Sequence, residues 1–217
     1  MAQGTRTIRP ARSTVSCRCH VCAFFNSRYN VMLPFIKEGF DDILDRNQRS
    51  ERMQRLTDTG VDTAEAEASG QLEVRPWENA YLRSGRFDQY AMINLLEKVA
   101  KSAMQQGPGM TRLWANMEWA LLDFPGVHDV VEYESRLNYV LPNYGMATVC
   151  TYDVTRFSAS VVMDIIRTHP PQVIVGGILR ENALYVPPDE FLRELDTRYA
   201  AAPYDQGMME SLTPIKG

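Results

Sequence analysis

Residues 146–178 read MATVCTYDVTRFSASVVMDIIRTHPPQVIVGGI, and this stretch decides the fold class. Met146 to Tyr152 is a short apolar run that closes on Asp153. Phe157, Val161, Val162, Ile165 and Ile166 then recur at helical spacing, with Asp153 or Thr155 placed to cap the helix that carries them. Pro170-Pro171 ends that helix, and Val173 to Ile178 is a second apolar run. Strand, amphipathic helix and strand in immediate succession is the pattern of a βαβ unit, whose strands lie parallel.

The same alternation extends outward. His20 to Phe25 (HVCAFF) is a short apolar strand, and Asn26, Ser27 and Asn30 supply turn and cap chemistry before a helix near residues 31–40 striped by Met32, Phe35, Ile36 and Phe40. Asp41-Asp42-Ile43-Leu44-Asp45 then leads almost directly into a charged helix around Gln48 to Thr57, which leaves room for a vestigial second strand only. Thr63 to Ser69 is a short polar stretch, Gln71 to Pro76 alternates as a strand does, and a loop from Trp77 to Phe87 precedes a helix from Asp88 to Gln106. Gly107-Pro108-Gly109 breaks the chain before a strand from Thr111 to Trp119; Phe124-Pro125-Gly126 opens the next helix, with Val127, Val130, Val131, Leu137 and Leu141 inward. Pro187-Pro188-Asp189 opens a last helix to Tyr199. The expectation is an α/β fold with a mostly parallel sheet flanked by helices. Its divisions are a disordered basic tail over 1–18, one domain over 19–200 and a flexible tail over 201–217.

Composition narrows the function. The 217 residues carry 27 acidic and 23 basic side chains, a net charge of −4, with the basic residues scattered, so no direct contact with nucleic acid is expected. No apolar run approaches the roughly 18 residues that span a bilayer. Arg6, Arg9 and Arg12 are followed by no apolar signal segment, which makes a cytoplasmic chain with reduced thiols the expectation.

In open α/β sheets ligands bind beyond the carboxyl ends of parallel strands, where Glu118 and Asp153 fall. Two such acids would suit a magnesium-dependent nucleoside triphosphatase, but no G-x-x-x-x-G-K-[ST] phosphate loop is present and the loop after the first strand is Asn26-Ser27-Arg28. The plainer readings are a carboxylate held by a nearby arginine for Glu118 and a helix cap for Asp153. Cys17, Cys19, His20 and Cys22 together suggest soft-metal ligands. Strand alternation divides them, however, with His20 and Cys22 on one face and Cys17 and Cys19 on the other, and only His128, His169 and Cys150 remain elsewhere as partners. Buried small hydrophobes are therefore the expectation for these cysteines, and no metal or other cofactor is expected. His20 is either a contact in a pocket or a structural histidine at a strand start, and His169, just before Pro170, suits a helix C-terminus. The aromatics Phe24, Phe25, Trp114, Trp119, Tyr133 and Tyr152 fit either an apolar pocket or plain core.

A spaced set of motifs carries a family resemblance: His20 with Phe24-Phe25, Ser69-Gly70-Gln71-Leu72, Gly85-Arg86-Phe87, Met117-Glu118-Trp119, Tyr133-Glu134 with Leu137-Asn138, Cys150-Thr151-Tyr152-Asp153, His169-Pro170 and Tyr185-Val186-Pro187-Pro188. Over residues 20–192 the chain resembles the MEDS family, the methanogen/methylotroph DcmR sensory domains. The resemblance implies a RecA/KaiC-like, Rossmann-like three-layer fold without the Walker A loop. It also implies a non-catalytic sensory domain in signal transduction or transcriptional regulation, binding a small, largely apolar molecule such as a hydrocarbon derivative at the carboxyl edge of the sheet. His20, Phe25, Arg86, Glu118, Trp119, Tyr133, Glu134, Asp153 and His169 would line or support that site, with Arg86 pairing with one of the acids. Output would pass through a regulatory or signalling partner or through self-association. The alternatives are a nucleotide-binding or weakly hydrolytic domain using Glu118 and Asp153 with magnesium, and an interaction module with no ligand. The chain departs from the family pattern at Gly39 to Leu44, where the second strand falls several residues short; its loss would give the first strand an open edge.

Overall fold

A computed structural model describes residues 7–8, 15–16, 19–25, 40–44, 49–58, 60–105, 111–144, 146–170, 172–175 and 178–201. In chain order the strands are β1 (Thr7–Ile8), β2 (Val15–Ser16), β3 (Cys19–Phe25), β4 (Phe40–Leu44), β5 (Leu72–Pro76), β6 (Thr111–Asn116), β7 (Met146–Asp153), β8 (Gln172–Val175) and β9 (Ile178–Glu181). The helices are α1 (Arg49–Asp58), α2 (Thr63–Ala68), α3 (Gln89–Gln105), α4 (Val130–Val140), α5 (Ala159–Thr168) and α6 (Pro188–Ala201).

The main sheet runs β5-β4-β6-β7-β3-β8-β9, parallel from β5 to β8, with β9 antiparallel at one edge. Seven of the eight β7 residues are buried, as a parallel strand covered on both faces requires. Register fixes which side chains share a face. His20 pairs with Thr148, Cys22 with Cys150 and Phe24 with Tyr152. Cys22, Phe24, Cys150 and Tyr152 belong to the larger core, beneath α3 to α6. Val21, Ala23, Ala147 and Val149 point the other way, toward Leu56 of α1 and Ala66 of α2. The result is the expected three-layer α/β architecture.

Several expectations need correction. The second strand is short but intact: β4 pairs with both β5 and β6, and so sits inside the sheet. The first long strand, β3, has no open edge, because β7 and β8 flank it. Chain order does not give sheet order, since parallel strands need crossovers that can skip over neighbours. The apolar run Val173 to Ile178 is two strands, β8 and β9, paired antiparallel with Val175 opposite Ile178. Strand β6 stops at Asn116, whose side chain accepts from the Glu118 amide and turns the chain into a short 3-10 segment, Met117–Leu121. The cap of α5 is Ser158, which accepts from the Val161 amide, and not Asp153 or Thr155. The polar stretch after Asp62 is the helix α2, capped by Asp62 through the Glu65 amide.

Within 1–18, Thr7–Ile8 and Val15–Ser16 form an antiparallel pair. The other residues of that expected tail, the side chains of Cys17 and Cys19, the helix expected near 31–40 and residues 202–217 lie outside the described residues.

Candidate functional site

The residues expected to share one pocket fall into two places. At the carboxyl edge lie Phe25, Glu118, Trp119 and Asp153, at or just beyond the ends of β3, β6 and β7. Glu118 is buried, and its carboxylate accepts a hydrogen bond from the Arg156 guanidinium in the turn after β7. Arg86, expected as partner to an acid of the site, is exposed instead on the loop before α3, where its charge acts on Asp129. Asp153 Oδ1 accepts from the Thr155 amide at 2.9 Å and from the Thr155 hydroxyl at 2.6 Å, so it fixes the turn that carries Arg156. Arg156 was the residue missed in the sequence; nothing in its local spacing marks it, because its partner is 38 positions away.

Trp119 and Tyr133 meet inside an aromatic cluster. The Trp119 ring stacks on Tyr81 with centroids 4.5 Å apart and lies 4.5 Å from Phe87, while Tyr133 stands edge-on to Phe87 at 5.4 Å. Such contacts add to the stability their burial provides. The backbone holds Phe87 there through a hydrogen bond from its amide to the Pro125 carbonyl at 2.9 Å. Gly126 makes the approach feasible: it sits at φ 85°, and a Cβ in its place would stand 2.2 Å from the Phe87 carbonyl oxygen. Trp119 is fully buried, yet its indole N–H has no acceptor among the described residues.

The second place is the amino half of the sheet, under α4 and α5. His20 of β3, Glu134 of α4, Cys150 of β7 and His169 just after α5 are all buried, and one donor atom from each lies within 4.8 Å of the others. Glu134 and Asn138 stand four residues apart on α4 and so present both side chains to His20. His20 Nε2 is 3.0 Å from Glu134 Oε2, and His20 Nδ1 is 3.0 Å from Asn138 Oδ1. The amide of Asn138 is oriented by its own donation to the carbonyls of Thr168 at 2.6 Å and Ser135 at 3.2 Å. Tyr152 donates its hydroxyl to Glu134 Oε1 at 2.6 Å. The Cys150 sulfur is 3.6 Å from His20 Nε2, and the two imidazole centroids are 4.0 Å apart.

His169 closes the helix α5 as its sequence position suggests. Its amide bonds the Ile166 carbonyl, and its Nδ1 is 2.7 Å from the Ile165 carbonyl. Its other nitrogen, Nε2, lies 3.3 Å from Glu134 Oε2.

The electrostatics follow from burial and from the one carboxylate. Burial by itself would raise the Glu134 carboxyl, but the imidazoles of His169 and His20 outweigh it and hold the group well below the usual carboxylate range. Burial, helped by His20, lowers His169. Burial and the Glu134 charge push the Cys150 thiol and the Tyr152 hydroxyl well up, and Cys22 likewise.

The sequence model of "MEDS: MEthanogen/methylotroph, DcmR Sensory domain" matches residues 19–170. The transcriptional repressor DcmR of Methylorubrum extorquens is 26% identical over 160 residues, covering 69% of this chain and 57% of that protein. The chain thus spans little more than half the length of this curated relative. Among solved structures, a KaiC-like protein from the hyperthermophilic archaeon Pyrococcus horikoshii superposes with a TM-score of 0.53 at 15% identity, covering 72% of this chain and 71% of the other. That likeness concerns the fold: a parallel sheet between helical layers. No helix among the described residues is long and apolar enough to cross a membrane. With the family model covering more than half of its length, the chain belongs to the MEDS family of sensory domains.

Proposed function

We propose that this chain is a non-catalytic, cytoplasmic sensory domain that binds a small, largely apolar molecule at the carboxyl edge of its sheet and reports it to a regulatory or signalling partner. The observation that carries the reading is Trp119. It is a large aromatic buried among other rings at a strand's carboxyl end, with a buried N–H that has no acceptor among the described residues. Leaving such a donor unmade costs about 1–3 kcal/mol. A small apolar molecule with one acceptor atom would recover that cost while burying its carbon on Tyr81 and Phe87. Glu118 and Arg156 form the polar rim. The relative named as a transcriptional repressor supports a regulatory output, which here passes through a partner or through self-association rather than through contact of this chain with DNA.

The test is a thermal-shift panel of short alcohols, ketones and haloalkanes against the wild type and Trp119→Phe, which keeps the ring and removes the N–H. The reading expects at least one compound to raise the wild-type midpoint and to lose most of that effect in Trp119→Phe. Equal shifts in both proteins, or none in either, would refute it. The nucleotide alternative is favoured only by the fold. Asp153 is engaged with Thr155 and Glu118 with Arg156, and no phosphate loop is present in the sequence. Calorimetry with ATP and magnesium that showed binding would displace the sensor reading.

A further inference from the structure

The cluster in the amino half of the sheet poses a problem of lone pairs. The Ile165 carbonyl can only accept, so His169 Nδ1 must carry a proton. Asn138 turns its Nδ2 to the Thr168 and Ser135 carbonyls and its Oδ1 to His20, so His20 Nδ1 also carries a proton. In the neutral imidazoles both Nε2 atoms are then bare, and both face Glu134 Oε2, at 3.0 and 3.3 Å. Tyr152 already fills the other carboxylate oxygen. Three electron pairs converge on one spot in a dry interior, where the Cys150 thiol, 3.6 Å from His20 Nε2, is a weak donor to one of them.

A single proton resolves only part of this. It can join one imidazole to Glu134, but the second Nε2 stays without a hydrogen-bond partner, as His169 Nε2 is among the described residues. A metal ion resolves all of it. Tetrahedral zinc sites place nitrogen and oxygen donors about 3.3 Å apart and nitrogen and sulfur donors about 3.6 Å apart, given bonds of about 2.0–2.3 Å. The distances here are 3.0 Å (His20 to Glu134), 3.3 Å (His169 to Glu134) and 3.6 Å (Cys150 to His20).

We propose that His20 Nε2, Glu134 Oε2, Cys150 Sγ and His169 Nε2 are the four ligands of a divalent transition-metal site, with zinc as the best match. The Cys150 thiol gives up its proton to solvent on binding, so the ion's two positive charges meet one thiolate and one carboxylate, and the buried site becomes neutral. Three of the four ligands have a partner that orients them: Asn138 for His20, the Ile165 carbonyl for His169 and Tyr152 for Glu134. Four protein donors leave no open position for a substrate water, so the centre is a clip and not a catalyst. It ties β3, β7, α4 and the end of α5 together across more than a hundred residues of chain. It is independent of the ligand reading at the carboxyl edge, since the two places share no ligand residue.

The test uses the full chain, stripped with a strong chelator and reloaded with zinc or cobalt(II). Elemental analysis should find one metal per chain, and zinc should raise the thermal midpoint by roughly 5–15 °C. Cobalt should give the intense visible bands of a tetrahedral ion and a near-ultraviolet thiolate-to-cobalt band. Cys150→Ser should lose the thiolate band, and His169→Gln should lower metal affinity by 10-fold or more. The cobalt spectrum of the wild type keeps the test decisive even if a variant fails to fold. Less than a tenth of an equivalent of metal after reloading, or cobalt binding without a thiolate band, would overturn the proposal.

Discussion

Replacing Gly126 by alanine tests how the carboxyl-edge cluster is held. Gly60, Gly70, Gly85 and Gly126 all adopt positive φ, between 71° and 87°, yet a Cβ at the first three would meet nothing within 4 Å. At Gly126 it would stand 2.2 Å from the Phe87 carbonyl oxygen and 3.2 Å from its carbon. Gly60→Ala therefore carries only the left-handed backbone cost, about 1–2 kcal/mol. Gly126→Ala carries the same cost and also forces two backbone segments apart. That movement stretches the bond from the Phe87 amide to Pro125, worth about 1 kcal/mol. It also lifts Phe87 from Trp119 and Tyr133, a repacking loss of about 1–3 kcal/mol. The expected total is about 3–6 kcal/mol, or roughly 6–24 °C in thermal midpoint for a chain of this length. Thermal and urea denaturation followed by circular dichroism measure it, and the near-ultraviolet spectrum reports the Trp119 environment. If Gly126→Ala and Gly60→Ala lose the same stability within error, the close approach is not what demands the glycine and the reasoning is wrong.

Other expectations concern single contacts. Arg156→Ala should lower stability by about 1–2 kcal/mol, and pairing it with Glu118→Gln in a double-mutant cycle should show coupling, because the carboxylate is buried and the arginine half exposed. Ser158→Ala removes the side-chain cap of α5 and should cost about 1 kcal/mol by urea denaturation. Tyr199 is pushed up to about 12 by burial and by Asp129 and Glu132. Its unfolded-state value is about 10. A raised folded value means that its contribution is complete below pH 10 and is lost as pH rises from 10 through 12. After allowance for partial exposure, the wild type should lose about 1–2 kcal/mol more than Tyr199→Phe over that range in urea midpoints.

The strand, helix, strand order over 146–175 is legible in the sequence because its signals are local. The apolar run of β7, the stripe on α5 and the proline pair after His169 need no distant partner. The hairpin at β8 and β9 was missed although Gly176-Gly177 stands between the two strands, because two short apolar runs flanking glycines look like one long run. Strand β4 looks slight in the sequence, five residues beside long helices, whereas pairing on both sides holds a strand that short. At the candidate sites, the split of Cys22 from Cys19 follows from the period of two, and the facing of Glu134 and Asn138 follows from helical spacing. The choice of Arg156 over Arg86 as the partner of Glu118 had no local signal at all.

Local patterning establishes the class and family of this chain: an α/β sensory domain of the MEDS kind without a phosphate loop, with His20 and Cys22 turned to one face of the first long strand. Periodicity and motif spacing settle these because each acts over a few residues or through an ordered series of them. Only the tertiary structure decided that His20 meets Glu134 across 114 positions and Cys150 across 130, while Glu118 and Asp153 are engaged elsewhere. The physical reason lies in strand order and register. The sheet places β3 beside β7, and one residue of slip in that pairing would turn His20 or Cys150 to the opposite face and take the cluster apart.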